Sequence, residues 1–220
     1  MAARGGVCSG TYCFWDRTNK RLTFHLAIDY GPALSLWEVA SLYPNTPNTL
    51  RRFFAGLAEC TFQTRLGVVD TALVDYISDL LVRFVRYDAV FKIRDLKGRP
   101  LTEIAEMLYE AEQRVGEARR EVHRHIGDYA LFWSGVYPES LPRKQAPLRK
   151  DHLIDYCQHG KRAYWVASTI ETNEERERAA PSDVLERLSQ QFELCAYGLR
   201  EIRSEWEQRD TDGPMPFLIN

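Results

Sequence analysis
The residues best suited to chemistry gather in two stretches. In Glu121-Val-His-Arg-His-Ile-Gly-Asp-Tyr-Ala-Leu-Phe-Trp133, the side chains of His125, Tyr129 and Trp133 recur every four residues and so share one helical edge. His125 also ends an apolar seam formed by Leu101, Ile104, Leu108, Ala111, Val115, Ala118 and Val122. A polar group closing such a seam reads as a neutral core histidine hydrogen-bonded to a facing carboxylate or backbone group. The alternative is a pH-sensitive or ligand-contacting group in a polar pocket, with Tyr129 and Trp133 beside it. In the second stretch, Asp151, Asp155 and His159 lie one turn apart, with His152 on the adjoining edge. Asp155 can orient His159 there, or the two can hold a cation; a solvated polar face accounts for the same residues. Uniting His125 with Asp155 and His159 requires two helices to pack side by side in register.

Other combinations are weaker. His123 and His125 point about 200° apart on a helix, because each residue turns by about 100°, so they cannot share one ion. No histidine follows a Glu or Asp by three residues, as a di-iron bundle requires. We therefore expect no metal and no cofactor. Cys157 and His159 face different ways, which argues against a local nucleophile–base pair. The chain also lacks a phosphate-binding glycine loop, a G-x-S-x-G elbow and H-E-x-x-H. Glu106, Glu110, Arg114, Glu117, Glu121 and Arg124 form a ladder at one-turn spacings, read as a solvated face, with the lining of a polar pocket as the alternative. Arg143, Lys144, Arg149 and Lys150 make a basic loop, but no groove-entering motif or aromatic platform accompanies it, so nucleic acid is not expected.

The elements that must position these groups read as helices. Asn48 or Thr49 starts one with Leu50, Phe53, Phe54, Leu57, Ala58 and Thr61 on its inner face, and Gly67 suits its C-terminal turn. Asp70 caps the next, whose seam is Leu73, Ile77, Leu80, Phe84, Tyr87 and Phe91, with Asp79 and Arg83 paired on its outer side. Asp95 to Gly98 turns the chain into one long helix from Pro100, which Gly127 interrupts; Asp128 then caps a short apolar helix. A loop from Pro138 to Pro147 leads to a helix over 150–169, and Asn173 to Ala180 is a charged loop. The last helix, from Ser182 or Asp183, carries Leu185, Leu188, Phe192, Cys195, Leu199, Ile202 and Trp206. Seams stepping by three and four imply an all-α antiparallel bundle of about five or six helices. Residues 1–46 form an N-terminal arm, loose or folded as a small hairpin from Tyr12–Trp15 and Leu22–Leu26, with a short helix over Leu34–Leu42; 47–209 are the bundle and 210–220 a tail.

Composition narrows the classes. At 45% hydrophobic and 12% aromatic, the 220-residue chain is globular, not disordered. A net charge of -2 gives no general attraction to nucleic acid or anionic membrane. Five cysteines without a C-x-x-C pair fit a reducing compartment. No secretory leader or membrane-spanning run is evident, so we expect a cytoplasmic protein. The absence of catalytic motifs leans away from an enzyme without deciding the matter. Our expectation is a protein-interaction or regulatory module that binds another protein or itself. The alternative is a small-ligand or metal-binding bundle with a His/Asp pocket between helices.

Overall fold
The computed structural model describes residues 12–16, 21–25, 47–85, 87–95, 97–141 and 155–211. The basic loop Arg143–Lys150, together with Asp151, His152, the helix expected over Leu34–Leu42 and the end of the C-terminal tail, lies outside the described residues. Strands β1 (Tyr12–Asp16) and β2 (Arg21–His25) pair antiparallel, with Phe14 opposite Thr23.

The bundle opens with α1 (Pro47–Glu59), which widens into a π-helical turn over Cys60–Arg65. Phe54, Leu57, Ala58 and Phe62 are buried, and Gly67 supplies the positive φ of 68° that reverses the chain. The Asp70 carboxylate accepts from the Leu73 amide at 3.1 Å and starts α2 (Thr71–Phe84). Contrary to the seam drawn through Tyr87 and Phe91, α2 ends at Phe84, and a single turn, α3 (Tyr87–Val90), follows. The expected Asp79–Arg83 pair is also absent: Asp79 binds Arg51 at 2.6 Å, while Arg83 turns inward to Asp128. After α3 the chain runs extended to a turn at Asp95–Gly98, where the Asp95 carboxylate accepts from the Lys97 and Arg99 amides.

The long helix expected from Pro100 is two helices. α4 (Ile104–Glu112) stops before α5 (Gly116–Gly135), because Val115 is extended and Gly116, where α5 begins, has φ +56°, outside the right-handed helical range. Val115 and Ala118 consequently face solvent instead of continuing the seam. Helix α5 then runs unbroken through Gly127, and Asp128 lies inside it, not at a cap. Gly127 serves close packing: a Cβ there would sit 2.6 Å from the Tyr164 ring. Every residue from His125 to Tyr137 is buried, so α5 is the bundle's central rod.

Helix α6 (Tyr156–Thr169), capped by Asp155, packs antiparallel along α5, with Tyr164 at Gly127 and Gly160 at Ala130. Residues read as a charged loop form α7 (Glu174–Ala179) instead. The last helix divides at Gln191 into α8 (Ser182–Gln190) and α9 (Phe192–Thr211). Its seam holds nonetheless, since Leu185, Leu188, Phe192, Cys195, Leu199, Ile202 and Trp206 are all buried. Each such apolar side chain contributes about 1.5–3 kcal/mol of burial.

Buried Arg120 clips the α6–α8 hairpin to α5: it donates to the carbonyls of Ala167 (3.1 Å) and Ala180 (2.7 Å) and pairs with Glu177. Together these contacts make an all-α bundle. Among the described residues no helix is long and apolar enough to cross a membrane.

Candidate functional site
The polar centre of the bundle is Asp128, 2% exposed on α5. Its Oδ1 accepts from the hydroxyls of Tyr76 (2.7 Å, from α2) and Tyr164 (2.8 Å, from α6). Oδ2 accepts from Arg83 Nη2 at 3.0 Å, and Arg124 Nε stands 3.8 Å away. Burial pushes the carboxyl pKa up, but Arg83, Arg124 and the two hydroxyls outweigh it and hold Asp128 below its ordinary value. Burial and then the Asp128 charge raise Tyr76 and Tyr164, so both act as donors. A buried carboxylate with this many partners is a structural node; removing any partner leaves a charge or hydroxyl stranded.

One turn earlier, His125 Nε2 lies 3.1 Å from the Val90 carbonyl. A carbonyl only accepts, so Nε2 carries the proton and Nδ1 keeps a lone pair. Burial, above all, lowers the His125 pKa to about 4, despite the Asp128 charge. At neutral pH the ring is thus a neutral hydrogen-bonding group and a weak base. It packs against Phe84 and Tyr129, with ring centroids 6.0 and 6.3 Å away. Tyr129 in turn packs on Trp133 and donates to the Thr102 carbonyl at 2.8 Å. The expected edge of His125, Tyr129 and Trp133 therefore exists, and it lies in the core.

Asp155 and His159 do not join it. Asp155 is the exposed N-cap of α6, and His159 lies in the following turn. Because α6 runs antiparallel to α5, the middle of α5 faces Gly160–Tyr164, whereas His125 points toward α2 and α3. Among the described residues no group of three or more His, Cys, Asp or Glu side chains is placed to hold a metal ion.

His125 and Asp128 instead line a small inner pocket of about 50 Å³ with Arg83, Phe84, Ala89, Lys92, Glu121 and Arg124. Lys92, Glu121 and Arg124 also line a larger open cleft of about 560 Å³, completed by Ile93, Arg94, Arg114, Ala118 and Ala179. Its walls come from three places: the extended segment after α3, the α4–α5 corner and one face of α5, with α7 at the rim. Glu121 bridges Lys92 (3.3 Å) and Arg124 (3.2 Å), Arg114 binds Glu110 at 2.9 Å, and Arg94 donates to the Gly98 carbonyl. Across both cavities and these pairs, the five cations Arg83, Lys92, Arg94, Arg114 and Arg124 face the three carboxylates Glu110, Glu121 and Asp128. Among these described residues the cations outnumber the carboxylates by two.

Arg114, Glu121 and Arg124 belong to the ladder read as a solvated face; the helix break at Gly116 and the extended strand after α3 convert that face into a wall. Sequence reasoning missed Asp128, Tyr76, Tyr164 and Arg83. A usable signal was there: Asp128 interrupts an otherwise apolar stretch, where a charge must find a buried partner. Compared with protein-family models, curated proteins and solved structures, the chain matches none.

Proposed function
We propose that this bundle binds a small anionic molecule in the cleft between the extended segment after α3 and helix α5. The observation that carries the reading is the excess of cations around a cavity of about 560 Å³, a size in the range of small-molecule sites. The buried Asp128 node supports it from behind by fixing Arg124, which lines the cleft, so that this cation is placed before a ligand arrives. The neutral His125 adds a hydrogen-bonding group at the inner end. The role is binding; with His125 so weakly basic, no proton-transfer step is assigned.

The test is thermal unfolding of the purified protein against a panel of multivalent anions, each compared with sodium chloride at the same ionic strength. A saturable rise in Tm with at least one organic anion is expected. Shifts that follow ionic strength alone would remove the reading.

A second reading, an interaction module that binds another protein or a second copy, is supported by the exposed rings of Trp165, Tyr197 and Tyr109. Light scattering across a hundredfold concentration range tests the self-association form of it. A monomer throughout, with no change on Trp165→Ser, would count against that form.

A further inference from the structure
Resting on the anion-binding reading, we propose that the cleft is selective for a phosphate monoester on an aliphatic body, over carboxylates and nucleotides. Three features argue for this class. First, among the described residues of the two pockets and their ion pairs two positive charges are in excess, and a phosphate monoester carries nearly two negative charges at neutral pH. A monocarboxylate would leave one of them unmatched. Second, the cations arrive from separate elements: Lys92 and Arg94 from the extended segment, Arg114 from the α4–α5 corner and Arg124 from α5. Cations carried on separate elements suit the three terminal oxygens of a tetrahedral phosphate, whereas a carboxylate offers two oxygens in one plane. Third, the uncharged lining consists of Ile93, Ala118 and Ala179. Aliphatic walls can cover a carbon chain or sugar edge, but among the described residues they give a nucleobase no aromatic ring to stack on.

The inner pocket refines the picture. At about 50 Å³ it takes a water molecule or a single hydroxyl, and His125 and Asp128 form part of its wall. A hydroxylated aliphatic phosphate can therefore set its anionic group in the outer cleft and direct a hydroxyl inward.

Isothermal titration calorimetry on the full chain, at pH 7.5 and low salt, tests the proposal with inorganic phosphate, glycerol 3-phosphate, succinate and AMP. Glycerol 3-phosphate is expected to bind at least tenfold more tightly than succinate, a dianion of similar size, and more tightly than AMP. Arg94→Gln and Lys92→Gln, both at exposed positions, should each weaken it by fivefold or more with the circular dichroism spectrum unchanged. Succinate binding as well as the phosphate would overturn the phosphate assignment while leaving the anion site standing. Preferred binding of AMP would overturn the aliphatic assignment. No heat with any of the four would remove the anion site itself, and binding unaffected by either variant would place it elsewhere.

Discussion

Replacing Asp128 by Asn tests whether the bundle is held by a charged node. The amide is nearly isosteric and keeps an oxygen for the Tyr76 and Tyr164 hydroxyls, but it removes the charge that balances Arg83 and Arg124. It also turns an NH2 group toward Arg83. Breaking a buried pair from one side costs about 3–5 kcal/mol. Arg83 keeps 30% of its side-chain surface and Arg124 14%, so both recover some hydration, and the lower end, about 3 kcal/mol, applies. For a domain of this size that is a Tm loss of about 6–12 °C. Urea unfolding at pH 7 gives the free energy, with Tyr164→Phe, which removes one hydrogen bond worth about 1 kcal/mol, as the reference. The wild type should also lose stability as acid protonates Asp128, because a carboxyl whose folded pKa lies below its ordinary value stabilises above that value and ceases to as the pH falls. The Asn variant should lack that component. Stability of Asp128→Asn within about 0.5 kcal/mol of wild type would refute the node.

Three further outcomes are expected. Gly127→Ala should destabilise by about 1–3 kcal/mol in urea, because its Cβ meets a Tyr164 ring tethered to Asp128, although helix propensity alone favours Ala. His125 and His123 are both lowered from 6.5 to about 4, chiefly by burial, so the unfolded chain takes up their protons first. Stability should therefore fall between pH 6.5 and 4, by about 1 kcal/mol per pH unit for His125 and less for His123. Among the described residues both His123 ring nitrogens are buried without a hydrogen-bond partner, so His123→Leu should flatten that slope and raise stability by about 1 kcal/mol, read by urea unfolding at pH 5 and 7. Arg120→Met should strand the Ala167 and Ala180 carbonyls, and hydrogen exchange should show faster exchange over residues 170–182 than in α2.

The seams were legible because burial repeats with the helical period whatever interrupts the backbone. Leu185 to Trp206 is buried although the helix breaks at Gln191. Breaks were harder to read. Gly116 and Gly127 look alike as letters, yet one adopts positive φ where a helix begins while the other lies inside that helix to admit a tyrosine ring. Only the facing element tells them apart. Arg83 shows the same limit for charge: Asp79, one turn away, was the local partner, but a buried carboxylate 45 residues on holds it instead. The cleft depended on this kind of long-range placement, since Lys92 and Arg94 lie far from Arg114 and Arg124 along the chain. His125 was recognised as the conflict on its seam, and its partner is the Val90 carbonyl.

The central claim, that the cleft beside α5 is an anion site, is tested most directly by NMR of the arginine Nε–Hε groups during titration with glycerol 3-phosphate. Saturable shifts in Arg94, Arg114 and Arg124, with Arg51 and Arg203 unmoved, are the expected result. Uniform small shifts across all arginines, or saturation confined to residues outside the cleft, would contradict it.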